Sequence, residues 1–99
     1  MANIAFSTPF IRGFIHQETN AGTTASTLLP AAVTPIRRVV VIVQNKSATA
    51  TIQVIMADTG STGILIPPLG NIDFDNYNGV IRVVASAADT PVHIAYATV

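Results

Sequence analysis

Downstream of Pro35 the chain is a succession of short runs rich in valine and isoleucine, each closed by turn-forming residues. The runs are "RRVVVIVQN" (Arg37–Asn45), "ATIQVIM" (Ala50–Met56), "GILI" (Gly63–Ile66), "NIDF" (Asn71–Phe74), "VIRVVAS" (Val80–Ser86) and "PVHIAYA" (Pro91–Ala97). Between them lie "NKSAT", "ADTGSTG", "PPLG", "DNYNG" and "SAADT". Runs this short leave no room for helices, and β-branched residues fit a pleated, half-buried surface. Turn chemistry at such regular spacing marks an all-β sandwich or barrel. The two short middle runs count either as one interrupted strand or as two, which gives five or six strands. The expected architecture is a small antiparallel β-sandwich or barrel, jelly-roll or Ig-like, over residues 36–99.

Alternation within the runs assigns faces. Ile52, Val54 and Met56 point one way and Thr51 and Gln53 the other. Ile81, Val83 and Ala85 oppose Arg82, while Val92, Ile94 and Tyr96 oppose His93. A period of two marks half-buried antiparallel strands. Val39–Val43 breaks the pattern with five consecutive β-branched apolar residues. Either that strand is central and covered on both sides, or its outer face meets a partner; the two readings are compatible.

Residues 1–35 have a different texture. "ETNAGTTASTLLPAAVTP" is rich in Thr, Ala, Ser and Gly, with Pro30 and Pro35 as breaks. It lacks the periodicity of a helix and reads as an extended N-terminal arm, with a short strand possible over Phe10–Ile15. Phe10, Arg12 and Phe14 alternate onto one face and would anchor the arm to the sandwich or to a neighbour. Fully extended, an arm of about 30 residues reaches on the order of 100 Å and can add a strand to another sheet.

Composition narrows the function classes. Of 99 residues, 49% are hydrophobic and only 10% are charged, where a globular domain carries ~25%. So few charges leave a sticky surface, which implies burial against other chains. Arg12, Arg37, Arg38, Lys46 and Arg82 form no basic stripe, so nucleic acid is not an expected partner. No apolar window approaches the ~18 residues of a membrane span. The N-terminus lacks the pattern of a secretory signal. The absence of cysteine excludes disulfides and thiolate metal sites. Synthesis in the cytoplasm is the expectation.

Candidate chemistry is sparse. "IDFDNYNG" (Ile72–Gly79) resembles a calcium loop, but counting from Asp73 puts Tyr77 at the fifth position, Asn78 at the sixth and Val84 at the twelfth. The oxygen ligand, glycine and bidentate glutamate required there are missing. Asn78-Gly79 instead predicts a type I′ hairpin turn, with Asp73 and Asp75 on a solvated face. "IPPLGN" (Ile66–Asn71) predicts a corner, because Pro67 and Pro68 cannot donate to a ladder. His16 and His93 are far apart in sequence and read as surface or subunit-contact residues, not zinc ligands. No G-x-S-x-G or phosphate loop is present. Tyr77 is the one aromatic expected to be exposed on a loop. No catalytic residue, cofactor or metal is expected.

The succession "VVVIVQNKSATATIQVI", a Thr/Ser/Gly loop, "GILIPPLGNIDFDNYNG" and "IRVVASAADTPVHIAYA" resembles small β-sandwich virion proteins of tailed bacteriophages, of the capsid decoration or cement type. The likeness runs from about Arg37 to Ala97 and lies in texture and turn order. It implies a structural subunit of the virion, assembled in the host cytoplasm, homo-oligomeric with trimers common, and bound to the major capsid protein. A tail or head-fibre component, or an adhesin contacting host glycan through Ala57–Gly63 and Asp75–Gly79, is the alternative. Interface residues are expected in the arm (Phe6, Phe10, Arg12, Phe14) and on the outer face of the long strand (Arg38, Val40, Ile42).

Overall fold

The protein's computed structural model describes residues 13–99. Eight strands make up this region: β1 (Ile15–Ala21), β2 (Ser26–Leu29), β3 (Arg38–Asn45), β4 (Ile52–Ile55), β5 (Ile64–Ile66), β6 (Asn71–Asp75), β7 (Ile81–Ala85) and β8 (Thr90–Thr98). They form two antiparallel four-stranded sheets, ordered β1-β8-β3-β6 and β2-β7-β4-β5. Strands equally far from the two ends of the series pair with each other: β1 with β8, β2 with β7, β3 with β6 and β4 with β5. The β3–β8 and β4–β7 pairings complete the sheets. This is one long hairpin rolled up into a sandwich, the jelly-roll topology. The Ig-like alternative is thereby set aside.

Every connection except β4–β5 crosses from one sheet to the other, so most turn clusters of the sequence are corners. Val41 and Val43 of β3, Val92 and Ile94 of β8, Ile52 and Val54 of β4, and Ile81 and Val83 of β7 fill the space between the sheets. Each such side chain contributes about 1.5–3 kcal/mol on leaving water. The faces expected from alternation are the ones observed, with Tyr96 and Met56 packed on the margin of the core.

Three expectations change. Residues 1–35 are not all arm: β1 and β2 lie within them, one in each sheet, and Ala21, Leu28 and Leu29 join the core. Weak apolar periodicity hid these strands because β1 is an edge strand, with only Ala21 of its seven residues buried. Second, "IDFDNYNG" is not a hairpin. β6 and β7 belong to different sheets, and the left-handed residue is Asn76 (φ 58°). Ile72 and Phe74 do face the core margin, with Asp73 and Asp75 exposed.

Third, Arg38 does not share the outer face of Val40 and Ile42. Arg38 lies opposite Thr98 and Val40 opposite Ala97, so β3 carries an extra residue against β8. Such a bulge resets the alternation and turns Arg38 inward, where it is 3% exposed. β3 is central in its sheet, but among the described residues no layer covers its outer face; Val40 and Ile42 are half-buried there.

Candidate interaction surface

Among the described residues, one end of the sandwich gathers five of the eight large exposed apolar side chains; the other three, Ile64, Leu65 and Leu69, lie in β5 and the corner after it. At this end β1 and β3 begin and β2, β6 and β8 finish. The register places Ile15 opposite Tyr96 and Arg38 opposite Thr98. Beyond β8, Val99 still exchanges backbone hydrogen bonds with Arg37. Phe14, Ile15, Val33, Ile36 and Val99 are all exposed here, Val33 to 75%. The loop 30–37, interrupted by two prolines, cannot carry Val33 and Ile36 into a sheet. Between that loop and the end of β8 opens an apolar groove of about 200 Å³, lined among others by Leu29, Val33, Ile36, Tyr96 and Arg38.

Arg38 is the tie that builds this end. Its guanidinium donates to the carbonyls of Pro30 (3.0 Å) and Gly79, and its backbone N–H donates to Asn78 Oδ1 (2.6 Å). The Asn78 carbonyl in turn accepts from Ala32 N (2.9 Å). Thus the start of β3, the loop 30–37 and the corner after β6 are held together by one side chain and one asparagine. Burial pulls the Arg38 pKa below the usual arginine value, while the nearby Tyr77 and Tyr96 oppose the shift. Nε has no hydrogen-bond partner, and no carboxylate pairs with the charge among the described residues.

The other expected interface residues divide. Phe6, Phe10 and Arg12 lie outside the described residues. Phe14 is exposed, its ring centroid 6.4 Å from that of His16. On the outer face, Ile42 sits between Ala95 and Asp73, and Val40 between Ala97 and Asp75. That face is a flat strip of small and β-branched side chains bordered by acids.

The histidines, 77 positions apart, meet on the same face. Glu18 lies opposite His93 in the β1–β8 ladder, and His16 sits diagonally beside it. His16 Nδ1 and His93 Nε2 are 2.9 Å apart. The Glu18 carboxylate accepts from Lys46 Nζ at 3.3 Å and lies 3.2 Å from His93 Nδ1. The hydrogen bond from Lys46, then that from His93, lowers the Glu18 pKa. This chain ties the exposed edge strand to its neighbour. Only the antiparallel register brings it together, and no sequence spacing announces it. Among the described residues, no three or more His, Cys, Asp or Glu side chains are placed to hold a metal ion.

The loops named for glycan contact offer no exposed aromatic. Tyr77 is half-buried, its hydroxyl donating to Val80 O (2.8 Å) and its ring edge-on to Phe74. A second groove of about 270 Å³ is lined by the polar Thr23, Thr51, Gln53, Ser61 and Ser86 together with apolar side chains of β4 and β7, with no charged or aromatic side chain. Among the described residues, no helix is long and apolar enough to cross a membrane.

No protein-family model matches the chain. No curated protein matches it in sequence.

Proposed function

We propose that the chain is a structural virion protein, a homo-oligomeric decoration or cement subunit that stabilises a phage head by burying apolar surface against its own copies and the major capsid protein. The observation that carries this reading is the collection of exposed apolar side chains at one end of a charge-poor jelly roll, beside the point where the N-terminal segment joins. Such a surface is costly for a protein that remains alone in solution. By analogy of fold, jelly rolls serve in viral capsids and in lectins, and a fold by itself selects neither. The resemblance stated above adds the virion and the trimer.

The test is solution mass by light scattering, followed by co-sedimentation with purified phage heads. A discrete oligomer that binds heads supports the proposal. A monomer at ~100 μM, well above the micromolar Kd of weak specific interfaces, that ignores heads overturns it.

A second reading, a tail or head-fibre component binding host glycan, draws on the hydroxyl-lined groove between Thr23 and Ser86. Hydroxyls and an amide can bond sugars, but the aromatic platform that usually supports such contacts is missing from it. Binding on a glycan array that Gln53→Ala abolishes would favour this second reading.

A further inference from the structure

We propose that His16 and His93 form a two-histidine site for a divalent transition-metal ion of square-planar or octahedral preference, Cu²⁺ or Ni²⁺, with Glu18 as the outer partner that aims His93. The site lies on the outer face of the β1–β8 ladder and is independent of the virion reading.

The separation of the two nitrogens selects the kind of ion. His16 Nδ1 and His93 Nε2 are 2.9 Å apart. Two metal–nitrogen bonds of about 2.0–2.1 Å span that distance when they enclose about 90°. This is the angle between adjacent ligands of a square-planar or octahedral ion, and imidazole suits Cu²⁺ and Ni²⁺ in such sites. A tetrahedral ion would hold the nitrogens roughly 3.3 Å apart, so the spacing favours Cu²⁺ and Ni²⁺ over Zn²⁺. Mg²⁺ and Ca²⁺ prefer oxygen ligands.

Glu18 supplies the second observation. Its Oε2 lies 3.2 Å from His93 Nδ1. A carboxylate on the non-ligating nitrogen is the usual support of a metal-bound histidine, because it fixes the tautomer and the ring and raises ligand basicity. Here it keeps the proton on His93 Nδ1 and leaves Nε2 bare, facing His16. Lys46 Nζ, 3.3 Å from the same oxygen, holds the carboxylate in place.

The backbone brings the ligands together before any ion arrives. Glu18 stands opposite His93 and His16 opposite Ala95, so the two imidazoles meet diagonally from neighbouring strands. Ligands already in place lose little freedom on binding. The site is also open to solvent: His16 is exposed, and the His93 side chain is 23% exposed.

Without metal, His16 Nδ1–H donates to His93 Nε2, with ring centroids 5.1 Å apart and planes tilted by 41°. An ion replaces that hydrogen bond. The His16 proton moves to its outward Nε2, and both rings turn until their lone pairs meet on the solvent side. The second side-chain torsion of histidine is broad, so this turn costs little. Water completes the coordination, since among the described residues no third His, Cys, Asp or Glu joins the pair as a ligand.

The test is calorimetric titration of the untagged full-length chain with CuCl₂ or NiCl₂ in a non-coordinating buffer. The chain has no cysteine, so no thiolate competes. One ion should bind per chain, Cu²⁺ more tightly than Ni²⁺, while MgCl₂ gives no heat. Glu18→Gln should weaken Cu²⁺ binding by about tenfold, and His16→Ala and His93→Ala each by at least about tenfold. Far-ultraviolet circular dichroism checks that each variant keeps its fold. Electron paramagnetic resonance of the Cu²⁺-loaded chain should show two coordinating nitrogens, and one in either histidine variant. Absence of binding overturns the proposal and leaves the pair as a hydrogen bond only. Unchanged affinity in His16→Ala or His93→Ala overturns it too, as does a one-nitrogen spectrum in the wild type.

Discussion

Replacing Arg38 by methionine isolates the hydrogen bonds that close the apolar end while keeping most of the side chain's bulk. The guanidinium makes two bonds to buried-side carbonyls, Pro30 O and Gly79 O. Bonds from a charged donor contribute about 1.5–3 kcal/mol each, and a carbonyl left unpaired adds its own penalty. Against this, methionine relieves the cost of holding a guanidinium out of water with no counter-ion. The balance is about 3 kcal/mol of lost stability, near the lower end for breaking a buried charged network. A 99-residue domain has only ~5–15 kcal/mol to lose. At 4–8 °C per kcal/mol, Tm falls by roughly 12–24 °C. Urea unfolding followed by far-ultraviolet circular dichroism measures the change. Val40→Ala, on the outer face one bulge away, should cost about 1 kcal/mol or less because its side chain is only half-buried. Arg38→Lys should recover less than half of the loss, since one ammonium cannot span both carbonyls as a planar fork does. If Arg38→Met matches the wild type within about 0.5 kcal/mol, a typical surface effect, or if Val40→Ala costs as much, the inward placement of Arg38 is wrong.

The opposite end offers a comparable hub in Asn45, fully buried, whose Nδ2 donates to Ala50 O, Pro67 O and Ile66 O while Oδ1 accepts from Ser47 N. Asn45→Ala should cost about 3 kcal/mol through unpaired buried groups, and Asn45→Asp more, because a carboxylate would face three carbonyls; equal midpoints for both variants in urea would contradict this. Gly63→Ala should loosen the β4–β5 hairpin, since a Cβ there would collide with the backbone carbonyl of Val54; faster amide exchange confined to β4 and β5 is the expected readout, and unchanged protection argues against it. Glu18 is stabilised in its charged form, so its contribution is present above the ordinary value of 4.5 and is lost as pH falls through its lowered folded value. An NMR titration of its carboxyl carbon should give a midpoint below 4.5, and Lys46→Gln should raise that midpoint more than His93→Gln; the reverse order refutes the assigned causes.

Much of the fold is legible in residue order. Val, Ile and turn residues at short intervals specify strands, and the six runs after Pro35 became β3–β8 with boundaries shifted by a residue or two. Core faces followed from alternation because a buried face admits only apolar side chains. β1 and β2 were not legible, since an edge strand needs little apolar content and short Thr- and Ser-rich segments serve as strand or loop alike.

The place of the candidate surface was not legible in the sequence. A charge content of 10% says nothing of where on the fold apolar side chains stay exposed. Arg38 was assigned to the outer face by counting residues, and a single bulge moved it inside. Asn78-Gly79 looked like a hairpin turn because local chemistry favours one, yet the rolled topology sends β6 and β7 into different sheets. His16, Glu18, His93 and Lys46 come together through the ladder pairing β1 with β8, a long-range choice absent from any local spacing. Residue order specifies that strands form and which side of most of them is buried. Which strands are neighbours, and where Phe14, Ile15, Val33, Ile36 and Val99 come together, is set by tertiary pairing. Strand formation depends on local side-chain preference, whereas register and sheet assignment depend on backbone pairing between segments distant in the chain.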